Sequence, residues 1–199
     1  MKNALTTLAV VLGLISWAQQ QNTRPIQHQV HPSFIALNQA QQGLNPQQIF
    51  NEIYQLSSDD HLELISVITD DVGQKHEKYQ QEFKGIVVEG AQVTLHYKDN
   101  VPSMVSGYFS EIGNLPVQTQ MTNSSALKAA KQKVNAKTYA WEAGKSVHMH
   151  MEEPHGELVV FTDPTGFTPS KLAYKIDIYA LDPIYRADVF VDASTGNVL

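Results

Sequence analysis

Cysteine is absent from all 199 residues. No disulfide framework staples the fold, and no thiolate is available as nucleophile or metal ligand. Basic charge is also scarce: 14 Lys and Arg against 20 Asp and Glu give a formal net charge of -6 at pH 7. Nucleic acid and anionic membrane surfaces select basic patches, so neither is expected as a partner. Beyond the leader, no apolar run approaches the roughly 20 residues that a membrane-spanning helix needs. The signatures of hydrolytic and phosphate chemistry are missing too. His76-Glu77 begins the His-Glu-x-x-His pattern of zinc peptidases, but Gln80 stands where the second histidine belongs. No Gly-x-Ser-x-Gly elbow and no glycine-rich phosphate loop occurs. The chain is not expected to be an enzyme.

What remains is a globular composition, 42% hydrophobic and 17% charged. Lys2, the apolar run Ala4 to Ile15 and the small residues Ser16 and Ala18 predict a secretory signal peptide cleaved after Ala18, hence an exported, soluble product. The glutamine-rich stretch that follows, with Pro25 and Pro32, reads as a flexible lead-in. Regular structure is expected from Leu44-Asn45-Pro46. Asn45 suits a helix N-cap, Pro46 the first helical position, Gln48 a capping box and Leu44 a staple onto Ile49. Ile49, Ile53 and Leu56 then form an apolar stripe. Leu62 to Thr69 reads as a strand that turns at Asp70 to Gly73.

The run from His76 to Tyr108 is the most informative. Tyr79, Gln81 and Phe83 share one strand face, Val93, Leu95 and Tyr97 share a face of the next strand, and Asp99-Asn100 supplies a turn. Tyr79-Gln80-Gln81, Gly85-Ile86-Val87-Val88, Gly90 and Val93 to His96 together resemble the fungalysin/thermolysin propeptide motif. The family run reads Arg-Tyr-Gln-Gln, then Gly-Ile-Pro-Val-x-Gly, then a valine-rich strand carrying histidine. Lys78 replaces the arginine and Val87 the proline, so the charge stays while the bidentate fork and the fixed φ are lost.

Pro116 marks a boundary where strand patterning stops and a helix start appears at Asn123 to Ser125. Leu127, Ala130 and Val134 recur at helical spacing. Glu157 to Phe161 reads as a strand; Leu172, Tyr174, Ile176 and Ile178, then Tyr185, Ala187, Val189 and Val191, alternate as half-buried antiparallel strands around a corner at Leu181-Asp182-Pro183. The close, Tyr185 to Leu199, resembles the PepSY half of thermolysin-family (M4) propeptides. The expected class is α+β: two small lobes, each an antiparallel sheet packed with a helix. The expected organisation is signal peptide 1–18, lead-in 19–43, propeptide-motif lobe 44–115, linker 116–123 and PepSY-like lobe 124–199.

The resemblance implies a propeptide that assists folding of a secreted zinc metalloendopeptidase and holds it inactive. The partner is then the cognate metallopeptidase catalytic domain, in cis or in trans, and zinc belongs to that domain, with no cofactor in this chain. A free-standing secreted PepSY-type module, inhibiting peptidases in trans or acting in the cell envelope, is the alternative. Tyr79, Gln80, Gln81, Gly85, Gly90, His96, Asp192 and Gly196 are the motif positions expected to hold the ribbon or to meet a partner. His148, His150 and His155, beside Glu152 and Glu153, form a generic metal-like cluster whose plainer reading is solvated surface. Tyr139 and Trp141 read as a small satellite core.

Overall fold

The structure, a computed structural model, describes residues 33–143, 151–163 and 168–199. The leader, the lead-in as far as residue 32, His148 and His150 lie outside the described residues. The fold is α+β and mostly sheet, with nine strands and two α-helices among the described residues. In chain order these are β1 (Phe34–Ala36), α1 (Pro46–Tyr54), β2 (Asp60–Thr69), β3 (Lys75–Phe83), β4 (Ile86–Lys98), β5 (Val101–Gly107), α2 (Asn123–Val134), β6 (Thr138–Tyr139), β7 (Glu157–Phe161), β8 (Lys171–Asp182) and β9 (Ile184–Asp192).

α1 starts as its sequence dictates. The Asn45 side chain accepts from the Gln48 amide, the Gln48 side chain accepts from the Asn45 amide, and Pro46 opens the first turn. Its buried face differs from the expected stripe. Ile49, Phe50 and Tyr54 are buried, while Ile53 and Leu56 only flank the core. The aromatics dominate because they fill the hollow under the curved sheet: Phe50 meets Tyr79 edge-on at 4.8 Å, and Tyr54 stacks on Phe109 at 4.5 Å.

β2, β3, β4 and β5 form an antiparallel meander, with β1 added along β5. The expected facing holds, since Tyr79, Gln81, Phe83, Val93, Leu95 and Tyr97 are all buried. Two tight turns fix the register. Lys84 and Gly85 join β3 to β4, and Asp99 and Asn100 join β4 to β5, all four with positive φ, as primed hairpin turns require. Part of the lead-in is ordered, contrary to its irregular reading. β1 is too short to show periodicity, yet the free edge of β5 gives it partners from Ser106 to Met104.

In the C-terminal half, α2 lies against β8 and β9. Its Ala126, Leu127 and Ala130 pack with Leu172, Tyr174, Ile176, Ile178, Val189 and Val191. Thr122 caps the helix by accepting from the Ser125 amide. Tyr139 and Trp141 stack at 4.9 Å and join this core rather than a separate one.

The two halves meet through β4, in a parallel contact that the alternation of apolar residues did not announce. Glu82 pairs with Val87 and Gln80 with Gln92, so Val88, Glu89, Gly90 and Ala91 stand opposite Gln81 alone. This wide bulge bends β4, and Val88 pairs with Val160 of β7. A third cluster, Phe83, Val88, Ala91, Ile112 and Val160, fills the junction. The sheet is therefore mixed and continuous from β2 to β9.

Candidate functional site: the motif ribbon and the C-terminal turn

Gln80 and Gly90 of the motif meet at the bulge, and chemistry explains why. A bulge strands backbone carbonyls that the ladder can no longer satisfy. Gln80 points its carboxamide into the gap and donates to the carbonyls of Val88 at 2.8 Å and Ala91 at 3.0 Å, while Gln92 donates to Gln80 Oε1 at 3.0 Å. Gln81, on the opposite face, is 0% exposed. It donates to the Ser110 carbonyl at 2.8 Å and accepts from the Ser110 amide at 2.9 Å, fastening the segment after β5 beneath the sheet. Gly90 takes φ +73, a left-handed conformation at the crest of the bulge that L side chains rarely adopt. The bulge then offers two handles to the second half: Val88, in its pair with Val160, and Glu89, whose carboxylate accepts from Lys175 at 2.8 Å.

Tyr79 is a core residue with a polar tip. Its hydroxyl and that of Tyr97 donate to Glu77 Oε2 at 2.8 and 2.6 Å, and Lys75 donates to Oε1 at 2.8 Å. Burial pushes the Glu77 carboxyl up, but these three donors outweigh it, so its pKa lies below the usual value. Burial and the neighbouring carboxylate raise both tyrosines. Glu77 is thus held as an anion that ties three side chains, rather than poised to exchange a proton near neutrality.

His96 lies on the other face of β4, with its Nδ1 2.8 Å from His76 Nδ1 and its Nε2 2.6 Å from Ser106 Oγ. Asp192 and Gly196 occur together in a turn after β9. Asp192 is 6% exposed. Burial raises its carboxyl pKa, but the amides of Ser194 at 2.9 Å and Thr195 at 3.0 Å, with Lys171 at 3.2 Å, bring it below the usual value. Gly196, at φ +77, closes the turn over Met121, and its amide donates to the Asp192 carbonyl at 2.8 Å. The tail then runs back along β9, where Val198 bridges to Val191 and the Leu199 amide donates to Phe190.

The ribbon positions and the turn are separate places, and the structure does not bring them into one site. The bulge itself escaped the reading of the sequence. A glycine inside a strand pattern, as at Gly90, was the available signal. His155 is exposed, as are Glu152 and Glu153. Among the described residues no group of three His, Cys, Asp or Glu is placed to hold a metal ion, and no helix is long and apolar enough to cross a membrane.

A groove of about 450 Å³ lies between the end of α2, the β8–β9 corner and the tail. It is lined by Val134, Pro183, Ile184, Tyr185, Phe190 and Leu199, among others. Ile184, at its rim, is 84% exposed.

Comparison with known proteins adds a family motif, curated relatives and a solved structure. Residues 60–109 match the family described as the Fungalysin/Thermolysin Propeptide Motif. The chain is 29% identical over 141 residues to the thermolysins of Alicyclobacillus acidocaldarius subsp. acidocaldarius and Bacillus caldolyticus, which covers 70% of this chain and 25% of each relative. It is 26% identical over 145 residues to the bacillolysin of Brevibacillus brevis, covering 71% of this chain and 26% of that protein. The chain thus spans about a quarter of the length of the curated relatives it matches. Among solved structures, the Bacillus megaterium YpeB C-terminal domain aligns over 76% of this chain and 58% of its own, with 13% identity and a TM-score of 0.36.

Proposed function

We propose, from the premise that the chain carries a fungalysin/thermolysin propeptide motif, that it serves as the propeptide of a secreted thermolysin-type zinc metalloendopeptidase. In that role it assists folding of the catalytic domain and blocks its cleft. The observation that carries the reading is the coincidence of the matched residues 60–109 with the four-stranded ribbon β2 to β5. The motif there is spent on shape: Gln80 and Gly90 build the bulge that docks the second half, and Gln81 pins the segment after β5 beneath the sheet. Such a rigid template suits a folding assistant, because an exported protease gains from a high unfolding barrier, and a partner that lowers the matching folding barrier can be discarded afterwards.

The second half, residues 124–199, acts as the PepSY-like cover in this reading, with 116–123 as the linker between the halves. The apolar groove at Ile184, Tyr185 and Leu199 is the surface we assign to the catalytic domain. Zinc chemistry belongs to that domain, since this sequence carries no His-Glu-x-x-His. Covalent linkage would raise the local concentration of the cover to about the mM range, so modest contacts would suffice until the link is cut. The signal peptide and export complete the proposal.

Two assays on one protein pair test it. The chain is added to an unfolded thermolysin-type catalytic domain from the same organism during refolding, and separately to the active enzyme. Faster recovery of activity in the first assay and saturable inhibition in the second are expected. If the chain changes neither at large excess, the propeptide reading fails. Inhibition without any effect on refolding favours the free-standing inhibitor instead.

A further inference from the structure

On the open face of the N-terminal sheet four polar side chains form a line across four consecutive segments. Asp70 Oδ2, in the β2–β3 turn, lies 3.1 Å from His76 Nε2 on β3. His76 Nδ1 lies 2.8 Å from His96 Nδ1 on β4, and His96 Nε2 lies 2.6 Å from Ser106 Oγ on β5. The two rings are direct cross-strand partners, with centroids 4.9 Å apart and planes at 74°.

The spacing between the two Nδ1 atoms admits one hydrogen, because at 2.8 Å one nitrogen must donate and the other accept. With both rings neutral, one assignment satisfies every contact. His76 donates Nε2–H to Asp70 and accepts at Nδ1; His96 donates Nδ1–H and accepts at Nε2 from the Ser106 hydroxyl. A first added proton enters at His96 Nε2, with the Ser106 hydroxyl turned to accept, and the shared hydrogen passes to His76 Nδ1, which puts the cation on His76 beside Asp70. A second must go to His96 Nδ1, and two N–H groups then oppose each other between two cations.

The surroundings compensate one imidazolium, not two. Asp70 is the carboxylate hydrogen-bonded to the pair. Opposite His76 on β2 stands Ile68, opposite His96 on β5 stands Met104, and opposite Ser106 on β1 stands Phe34. Lys78 and Lys98 share the histidine face two residues away and are exposed, as are Asp71 and Asp99 in the adjoining turns. Lys75 and Glu77 project from the other face, where they pair with each other at 2.8 Å.

The tip of the β2–β3 hairpin depends on this line. Asp70 Oδ1 accepts from the Val72 amide at 3.0 Å and the Gln74 amide at 2.8 Å, and Gln74 Oε1 accepts from the Asp99 amide at 2.9 Å. We propose that Asp70, His76, His96 and Ser106 form an acid-release latch, which ties this hairpin tip to β4 and β5 while at most one ring is charged and frees it when both are. The latch operates whether or not the propeptide reading is right.

Burial, reinforced by the charge of His76, holds the His96 pKa below the usual histidine value. The unfolded chain therefore binds the proton more readily than the folded one. The stability that His96 contributes is whole above about pH 6.5, the ordinary histidine value, and is lost as pH falls through its depressed folded value. Asp70 also titrates below its usual value, first through the Gln74 amide and then through His76, so it stays charged across this window.

Amide hydrogen exchange on the full chain between about pH 7.5 and about pH 5, corrected for intrinsic rates, reads the latch. Opening of residues 70–74 is expected to increase about tenfold or more, one pKa unit's worth, while amides of β8 and β9 stay within about twofold. His96→Gln, which keeps a donor and cannot become charged, is expected to abolish the pH dependence. A flat response at 70–74 in the parent chain, or an equal response in the variant, overturns the proposal. Should the variant not fold, nitrogen NMR of the parent histidines decides. Two coupled steps with a hydrogen-bonded Nδ1 proton support the latch, and two independent simple titrations sink it.

Discussion

The N-terminal stretch through β5 and the C-terminal stretch from α2 onward each pack a helix on part of one continuous mixed sheet, and the two are held by different forces. The N-terminal half threads its core with polar groups: Gln81 beneath the sheet, Gln80 in the bulge, Glu77 between two tyrosine hydroxyls, and the histidine pair on the open face. In the C-terminal half the core is mostly aliphatic, with Tyr139 and Tyr174 among its members, and most of its polar groups lie at the surface: Arg186 pairs with Asp177 at 2.8 Å in solvent, while Lys171 reaches the buried Asp192 at the last turn. Apolar packing is non-directional and tolerant, whereas buried hydrogen bonds fix one geometry and penalise any other. The first half is therefore the specified one, and the second the adaptable one. That division suits a template joined to a cover.

Four substitutions test this contrast. Val189→Asp should have the largest effect, since it sets an unpaired charge inside the aliphatic core at a residue 5% exposed. We expect a loss of about 3–5 kcal/mol, seen as early melting of the C-terminal half. A thermal melt unchanged from the parent would show that the core does not depend on this face. Gln81→Leu should follow, because it leaves the Ser110 amide and carbonyl unpaired in a buried place. The expected cost is about 2–3 kcal/mol, with exchange protection falling first in β3 and at residues 108–112. Equal loss in both halves would mean that they unfold as one unit and that the polar threading is not local.

Gly85→Ala meets no atom within 4 Å but must adopt φ +76. A cost of about 1 kcal/mol is expected from backbone strain alone, measured as a shift in the denaturant midpoint. Arg186→Ala removes an exposed, solvent-screened ion pair and should leave the thermal midpoint almost where it is in the parent, with the difference shrinking further in high salt. A larger, salt-insensitive loss would place electrostatics among the supports of the second half.

Much of this was legible in the residues. The capping box at Asn45, the turn at Asp99-Asn100, and the alternation through Val93, Leu95 and Tyr97 are local rules, and the structure follows them. So do the inward faces of Ile176 and Val189. The roles of the motif residues were not legible to the same degree. Gln80 and Gln81 look alike in sequence, yet one fills a bulge and the other pins a segment 29 residues on, because alternation sends neighbours to opposite faces. The true apolar face of α1 was hidden as well. Helical spacing alone could not rank Phe50 and Tyr54 above Ile53 and Leu56 without the sheet they fill.

Sequence by itself determined the local grammar: where strands alternate, where helices begin, where positive φ is needed, and that the catalytic zinc motif is missing from these residues. Only the tertiary structure decided which way β4 bends, that Val88 and Glu89 reach the second half, and that His76 faces His96 across the ladder. The physical reason is range. Turns and caps are settled by neighbours a few residues apart, while register, bulges and cross-strand pairs depend on groups from distant parts of the chain that meet once the sheet has closed.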